Sequence, residues 1–389
     1  MKVAISTTRP FHAPLLANAL VAHGASVTMY SSAPRRFFRK MDPGVQMRLV
    51  PSVLQVGMHA FHWRLSANLL HLDSAMYDHT AALLLSPKDM FIGWATAALA
   101  SGRKAKRRGA RFVLDRACPH VDFQQRIVGA EADKVGVKWQ PEPAWFRERQ
   151  LAEYAEADTI IAPSEYTRQT FPDDLRHKLL KAPLLGRCNF PADISFDRNA
   201  TFTVGVVGGQ PLRKGYLYLL EAWKKLALPN AKLLIRSDFE GYPRLKELAD
   251  EQPSVELIGY VPDIADFYSK CDLFILPSID DGFGMALFEA MAYGLPCIAT
   301  THCGSSELLT SGQDSIIVEP FSSDQLAEAI LLFYESEDFR QQIARHGRQK
   351  IHSLMPDGRS PLYDDAIGSL VAQSRADNHA VAMKPVPTR

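Results

Sequence analysis

Within Asp280–Pro296, the carboxylates Asp281 and Glu289, the glycines Gly282 and Gly284 and a run of helix formers stand in an order suited to binding a charged ligand. Gly282 and Gly284 permit a tight turn, and the residues after them predict a helix over about 283–293 that Gly294 and Pro296 stop. Just upstream, Leu273-Phe274-Ile275-Leu276 reads as a buried strand ended by Pro277-Ser278, so the helix N-terminus opens at a strand end. Its unpaired N–H groups and positive dipole end favour a diphosphate or another anion. Asp281 and Glu289 are eight residues apart, which on a helix is about 12 Å of rise and roughly 80° of rotation. That span suits a nucleotide-sugar, with one carboxylate at the hexose and the other at the ribose hydroxyls. The simpler alternative is an N-cap aspartate followed by an unrelated surface glutamate.

The elements that must position these groups alternate from the first residue. Val3-Ala4-Ile5, a helix over 11–23 and Ser26-Val27-Thr28-Met29-Tyr30 give the βαβ signature of a parallel sheet covered on both faces. Further strands are expected at 111–114 and 159–162, with helices at about 122–134 and 142–156. A loop-rich stretch from Cys188 to Asn199 then precedes a fresh strand at 202–207, and strands follow at 232–235, 255–258, 273–276, 297–299 and 316–318. The expected architecture is α/β: one Rossmann-like domain over 1–195 and a second over 196–355. Ala157-Asp158-Thr159-Ile160-Ile161-Ala162-Pro163-Ser164 echoes Cys271-Asp272-Leu273-Phe274-Ile275-Leu276-Pro277-Ser278, which points both strand ends toward one interdomain cleft. The polar tail over 377–389 is expected to be disordered.

Composition narrows the function classes. In 389 residues, Lys+Arg 44 balance Asp+Glu 43, so no whole-chain field draws nucleic acid, and no nucleic-acid module is present. Five scattered cysteines lack a Cys-x-x-Cys pair, and only His302 and Cys303 converge as possible metal ligands, so neither a disulfide framework nor a metal site is indicated. The first residues are too short an apolar run for a signal peptide, and no stretch approaches ~18 apolar residues. A cytoplasmic protein is expected.

The acidic segment resembles the signature of retaining GT-B glycosyltransferases of family four, the group 1 glycosyl transferases, with an aspartate in place of the usual first glutamate. The resemblance implies that Asp281 lies against the donor sugar and Glu289 binds the ribose, with Gly282, Phe283 and Gly284 forming the donor turn. Val204 to Gly215 is similar to the family's strand-loop-helix that meets the donor diphosphate: Lys214 matches its lysine, but Gly209 stands where an arginine is usual. An uncompensated loss of that contact is worth about 1.5–3 kcal/mol; Arg213 or Arg9 is the candidate substitute. Thr300 to Leu309 resembles the family's glycine turn, which gives Gly304 and Ser305 the role of donating backbone N–H bonds to phosphate.

In the first domain, Leu114-Asp115-Arg116-Ala117-Cys118-Pro119-His120 resembles the place of a histidine facing the transferred sugar, which makes His120 the candidate beside the alternative of an ordinary surface histidine. Where the family usually carries glycines, Ser6-Thr7-Thr8-Arg9-Pro10 has none. Pro10 at the first helical position behind a threonine cap still starts a helix, and Arg9 and His12 become the acceptor-side or diphosphate candidates. Two basic clusters, 35–40 and 103–108, suit peripheral contact with anionic lipid at the inner face of a membrane, or else solvated faces and a helix dipole.

The resemblance is strong over the second domain and weak over the first. It implies a GT-B enzyme of two Rossmann-like, doubly wound domains facing an interdomain cleft, with a helix at about 361–374 crossing back onto the first domain. The implied reaction moves a hexosyl unit from a nucleoside-diphosphate sugar, UDP- or GDP-linked, to a hydroxyl of a glycan, lipid-linked or small-molecule acceptor. It retains configuration, uses no metal or other cofactor, and gives the acceptor proton to the leaving phosphate. The alternatives are a nucleotide-sugar epimerase on the same fold and a non-catalytic sugar-nucleotide-binding subunit.

Overall fold

The structure is a computed structural model that describes residues 1–52, 67–186, 188–192, 201–259, 263–358 and 360–382. β1 (Lys2–Thr7), β2 (Ser26–Ser31), β3 (Gln46–Leu49), β4 (Met90–Trp94), β5 (Arg111–Asp115), β6 (Thr159–Ala162) and β7 (Leu179–Lys181) form one sheet, ordered β3-β2-β1-β4-β5-β6-β7. β8 (Phe202–Val207), β9 (Ala231–Arg236), β10 (Val255–Ile258), β11 (Leu273–Leu276), β12 (Cys297–Thr300) and β13 (Ile316–Val318) form the other, ordered β10-β9-β8-β11-β12-β13. The pairings are parallel, from Val3 opposite Val27 in the first sheet to Val204 opposite Leu233 in the second. Helices on both faces bury these strands, so Phe202–Val207 and Leu273–Leu276 lie inside throughout, Thr203 included. Strand order reverses between β1 and β4 and again between β8 and β11. A crevice therefore opens at the carboxyl ends of each pair.

β4 is central, and the sequence reading leaves it unassigned. Met90-Phe91-Ile92-Gly93-Trp94 is a short unbroken apolar run, which periodicity alone does not separate from a buried helix segment. The helix expected over 11–23 with Pro10 at its first position instead spans Ala13–Ala22, with His12 at the cap and Pro14 within its first two positions. Pro14 takes the early-helix place that favours proline. Phe11 is left outside the helix at φ +35°.

The helix expected over 361–374 runs on from Pro361 to Ala382, which corrects the expectation of disorder from 377. Ala376 and Ala380 are strong helix formers, no proline intervenes before Pro385, and Asp377 is tied to Arg111 at 2.8 Å. Tyr363, Ile367, Leu370 and Val371 share a core with Leu16, Ala17 and Leu20 of the helix Ala13–Ala22. Arg375 Nη2 donates to His23 O at 2.9 Å. The expected boundary near 195 and the tail from 383 lie outside the described residues. Among those described, no helix is long and apolar enough to cross a membrane.

Candidate active site in the interdomain cleft

The second-domain half of the cleft is built by the loop after β8 and the turn after β11. Lys214 Nζ reaches across the crevice to Asp281 Oδ2 at 2.5 Å, and both side chains are mostly buried. Burial alone would push the Asp281 carboxyl up, but the charge and hydrogen bond of Lys214, helped by Arg213 and the Phe283 N–H, hold it below the usual carboxylate range. The Asp281 carboxyl therefore stays ionised at neutral pH. Its neighbour Asp280, 1% exposed, accepts from Arg213 Nε at 2.9 Å, from Gln124 Nε2 at 2.7 Å and from Tyr166 OH at 3.2 Å. Gln124 and Tyr166 belong to the first domain. One buried carboxylate thus joins the two halves, and the Arg213 guanidinium is committed to it rather than free for a diphosphate.

The helix after the turn spans Met285–Ala292, shorter than the 283–293 expected, and Gly284 at φ +75° is its cap. Asp281 is therefore neither an N-cap nor a helical residue, and the helix-wheel relation to Glu289 does not describe it. It pairs instead with Cys303 in an isolated bridge, its N–H donating to His302 O at 3.1 Å. The N–H groups of Gly304 and Ser305 are engaged as well, with Asp281 O at 3.0 Å and Phe283 O at 2.8 Å. In this conformation they brace the turn rather than wait for phosphate, which corrects the role that the resemblance implies for them. Of the first-turn amides of the helix from Met285, Leu287 N donates to Gly284 O at 3.1 Å. The Phe283 side chain is core, edge-on to Phe288 at 5.7 Å. Glu289 sits four residues into the helix, half-buried, and accepts from Tyr268 OH at 3.1 Å; burial raises its carboxyl above the ordinary value against that bond.

The first domain closes directly onto the turn. A Cβ on Gly282 would stand 2.1 Å from Ala117 O, and one on Gly304 would stand 2.4 Å from Ser164 Oγ. Only glycine allows this approach. Ser164, the end of the echoed Pro-Ser strand, donates its hydroxyl to Gly282 O at 2.7 Å, whereas its counterpart Ser278 turns inward with its hydroxyl unpartnered. The echo thus places one serine, not both, at the cleft. Gly282 thus packs directly on the backbone of Ala117 and Cys118, and the two domains are in contact at this turn.

His120 is not at the cleft surface. It is 3% exposed, caps the helix Val121–Lys134 by accepting from Asp122 N at 3.3 Å, and packs its ring against Tyr154 and Phe171, each at 5.1 Å. Burial, with Arg116 and Arg147 adding to it and Asp122 opposing, pushes the imidazole down to about 4. Its folded value lies below the ordinary 6.5, so the unfolded chain takes up the proton first, and stability is lost as pH falls from 6.5 toward 4. His120→Asn keeps a capping side chain and is expected to flatten that part of the stability–pH curve in urea unfolding. A His120 ring that titrates near 6.5 by NMR rules this out.

Across the cleft, His12 and Arg9 do line cavities. His12 Nε2 lies 2.9 Å from Asp115 Oδ2 at the end of β5, and its ring lies 4.9 Å from Trp94. Asp115, Trp94, Asp280, Gln124 and Tyr166 all went unread in the sequence. The position of Asp115 at a strand end was the available signal; the other four are joined only by the fold. Of the basic clusters, the second is largely engaged: Lys104 meets Ala82 O and Leu83 O, Lys106 meets Glu156 O, and Arg108 meets Leu85 O. In the first, Arg35 holds Val45 O and Asp42 O while Arg36 lies over the exposed Phe37 ring at 5.2 Å.

Comparison with known proteins agrees with this geometry. Residues 195–350 match the family described as glycosyl transferases group 1. The chain is 29% identical over 161 residues to the capsular polysaccharide biosynthesis glycosyltransferase CapM of Staphylococcus aureus, covering 40% of this chain and 42% of CapM. It is 30% identical over 164 residues to mannosylfructose-phosphate synthase of Agrobacterium fabrum, covering 38% and 36%. The chain thus spans less than half the length of these curated relatives. Sucrose-phosphate synthase from Thermosynechococcus elongatus superposes with TM-score 0.70 at 17% identity over 98% of this chain and 100% of that one. Anabaena HepE, solved with UDP and glucose, superposes with TM-score 0.65 at 16% identity over 97% and 100%. Two parallel-sheet domains and these neighbours define a GT-B fold.

Proposed function

From a group 1 glycosyl transferase domain on a GT-B chain, we propose a retaining hexosyltransferase that moves a hexosyl unit from a nucleoside-diphosphate sugar to an acceptor hydroxyl. The acceptor is a glycan, a lipid-linked sugar or a small molecule. The observation that carries this reading is the Lys214–Asp281 pair set across the β8–β11 crevice, beside the amino end of the helix from Met285. When a diphosphate enters, Lys214 exchanges a carboxylate for phosphate oxygens, and the first-turn amides add partial positive charge. The freed Asp281 carboxylate then accepts from sugar hydroxyls, and Glu289 accepts from the ribose. As the glycosidic bond breaks, charge develops on the departing diphosphate where Lys214 and the helix dipole already point, which is electrostatic catalysis without a required divalent metal. HepE, by its bound UDP and glucose, supports the donor class. A cytoplasmic protein touching a membrane surface through Arg36 and Phe37 completes the reading.

The test is a screen of UDP-glucose, UDP-galactose, UDP-N-acetylglucosamine and GDP-mannose against an acceptor panel, following released nucleoside diphosphate and product anomer. Turnover with retained configuration is expected. Glu289→Ala is expected to weaken nucleotide binding about tenfold by calorimetry, the equivalent of one lost charge-assisted hydrogen bond. Interconversion of donor epimers without an acceptor indicates an epimerase instead. Nucleotide binding without turnover on any acceptor indicates a binding subunit.

A further inference from the structure

Resting on the transfer reading above, we propose that the acceptor is a neutral oligosaccharide whose sugar units beyond the reacting one bind in an interdomain cavity lined by Gln125, Trp139 and Tyr242. The cavity measures about 520 Å³, inside the range of about 300–1,000 Å³ usual for small-molecule sites. The first domain lines it from the helices Ala67–Leu84 and Val121–Lys134 and from residues 137–143; the second adds Gln210, Leu212, Arg213 and Tyr242.

Its position ties it to the reaction. Gln124 Nε2 and Arg213 Nε, from opposite domains, both line the cavity and both donate to Asp280 Oδ2, at 2.7 and 2.9 Å. The next residue is Asp281, which the transfer reading sets against the donor sugar. The cavity thus abuts the acid that neighbours the reacting centre.

Its chemistry selects the ligand. Five carboxamides line it: Asn68, Gln124, Gln125, Gln140 and Gln210. A carboxamide donates and accepts hydrogen bonds, as a sugar hydroxyl does. Gln125 Nε2 and His71 Nδ1, on two of the lining side chains, are buried without a hydrogen-bond partner among the described residues, whereas buried polar atoms are nearly always paired. Trp139 and Tyr242 add aromatic surface, suited to the C–H faces of a pyranose. The Trp139 ring packs on Gly129, where an added Cβ would stand 3.0 Å from Cζ3, so a glycine within the helix makes room for the indole.

Charge argues against an anionic ligand. Arg213 is occupied by Asp280 and by Gln210 Oε1, the latter at 2.7 Å. Lys138 and Glu142 are of opposite sign, and Glu142 Oε2 already accepts from Gln150 Nε2 at 2.5 Å. Burial holds the His71 imidazole below its ordinary 6.5, with Glu142 opposing, so the ring is uncharged at neutral pH.

The test titrates the unliganded protein by calorimetry with maltotetraose, cellotetraose, laminaritetraose and mannotetraose, beside acidic tetragalacturonate and UDP. At least one neutral tetrasaccharide is expected to bind with Kd on the order of 10⁻⁴ M, and tetragalacturonate not to bind. Gln125→Leu and Tyr242→Ala are each expected to weaken that binding about tenfold, while Kd for UDP stays within about threefold. Gln125→Leu removes an unpartnered amide, so its urea midpoint is expected to hold or rise, which separates lost affinity from lost fold. With the donor found in the screen above, the tetrasaccharide is expected to exceed its monosaccharide about tenfold in kcat/KM, an advantage that both variants lose. No binding by any neutral tetrasaccharide, variants that bind like the parent, or preferred binding of tetragalacturonate overturns the site. Tetrasaccharide binding by a parent that releases no nucleoside diphosphate from any donor upholds the site and sinks the transfer reading instead.

Discussion

Lys214→Ala is expected to lower kcat about 10²–10³-fold, the range seen when a preorganised charge on a leaving group is removed. The reason lies in the pairing of the unliganded cleft. Lys214 is the cation beside Asp281, Arg213 being held on Asp280, and Gly209 supplies no side chain where the family has an arginine. Gly209 adds no side-chain charge here, so the loss falls on Lys214. The substitution also leaves Asp281 mostly buried without its counter-ion, raising its carboxyl and destabilising the fold by about 1–3 kcal/mol. Asp281 is depressed in the folded chain, so its contribution is present above the ordinary 3.8 and lost only in acid below it. Asp281 therefore adds no pH dependence between 6 and 8. Lys214→Arg keeps the charge and is expected to recover part of the activity. Steady-state rates of diphosphate release decide it: a Lys214→Ala enzyme within threefold of the parent removes Lys214 from the site.

Gly282→Ala carries the other large effect, expected at about 10²-fold in transfer rate with little change in fold. The added methyl meets Ala117 O at 2.1 Å and the Ala117 carbonyl carbon at 3.0 Å, backbone atoms that have no rotamer to yield. About 1 Å of separation is forced between the domains, and a displacement of that size at a reacting centre costs about 10²-fold. The Ser164–Gly282 and Asp280–Tyr166 bonds stretch with it, so the closed form loses population and small-angle scattering is expected to show a larger radius of gyration. Gly209→Ala is the control, because nothing lies within 4 Å of the methyl it would add; its scattering is expected to match the parent. A Gly282→Ala protein with parental scattering and rate means that the cleft tolerates opening and that closure at this point does not limit the reaction.

Both effects come from residues that the sequence located, but their reasons were legible to different degrees. Lys214 and Asp281 were recognisable as chemistry from residue type and spacing, whereas their mutual contact, 67 residues apart in the chain, was not. Gly282 read as a turn glycine. Its tightest neighbour turned out to be the backbone of the opposite domain, which no local pattern records. His120 went astray for a related reason: a histidine on a polar-looking loop is indistinguishable in sequence from one that caps a helix and packs against Tyr154 and Phe171. His12 was named, yet Asp115, 2.9 Å from its ring, became its partner only when β1 and β5 were brought into one sheet with β4 between them.

By itself the sequence determined the two alternating α/β halves, every strand of the second sheet, the glycine turn after β11 and the helix behind it. These follow from short-range periodicity, glycine placement and helix propensity, all of which act within a few residues. Tertiary structure decided which cations the carboxylates hold, which amides are already engaged, and which histidine faces the cleft. Those outcomes depend on contacts between elements distant in the chain, where burial and geometry select one partner among many of the same chemical type. Asp280 shows the division most plainly: an unremarked acid beside Asp281 in the sequence, it becomes in the fold the buried anion on which both domains converge.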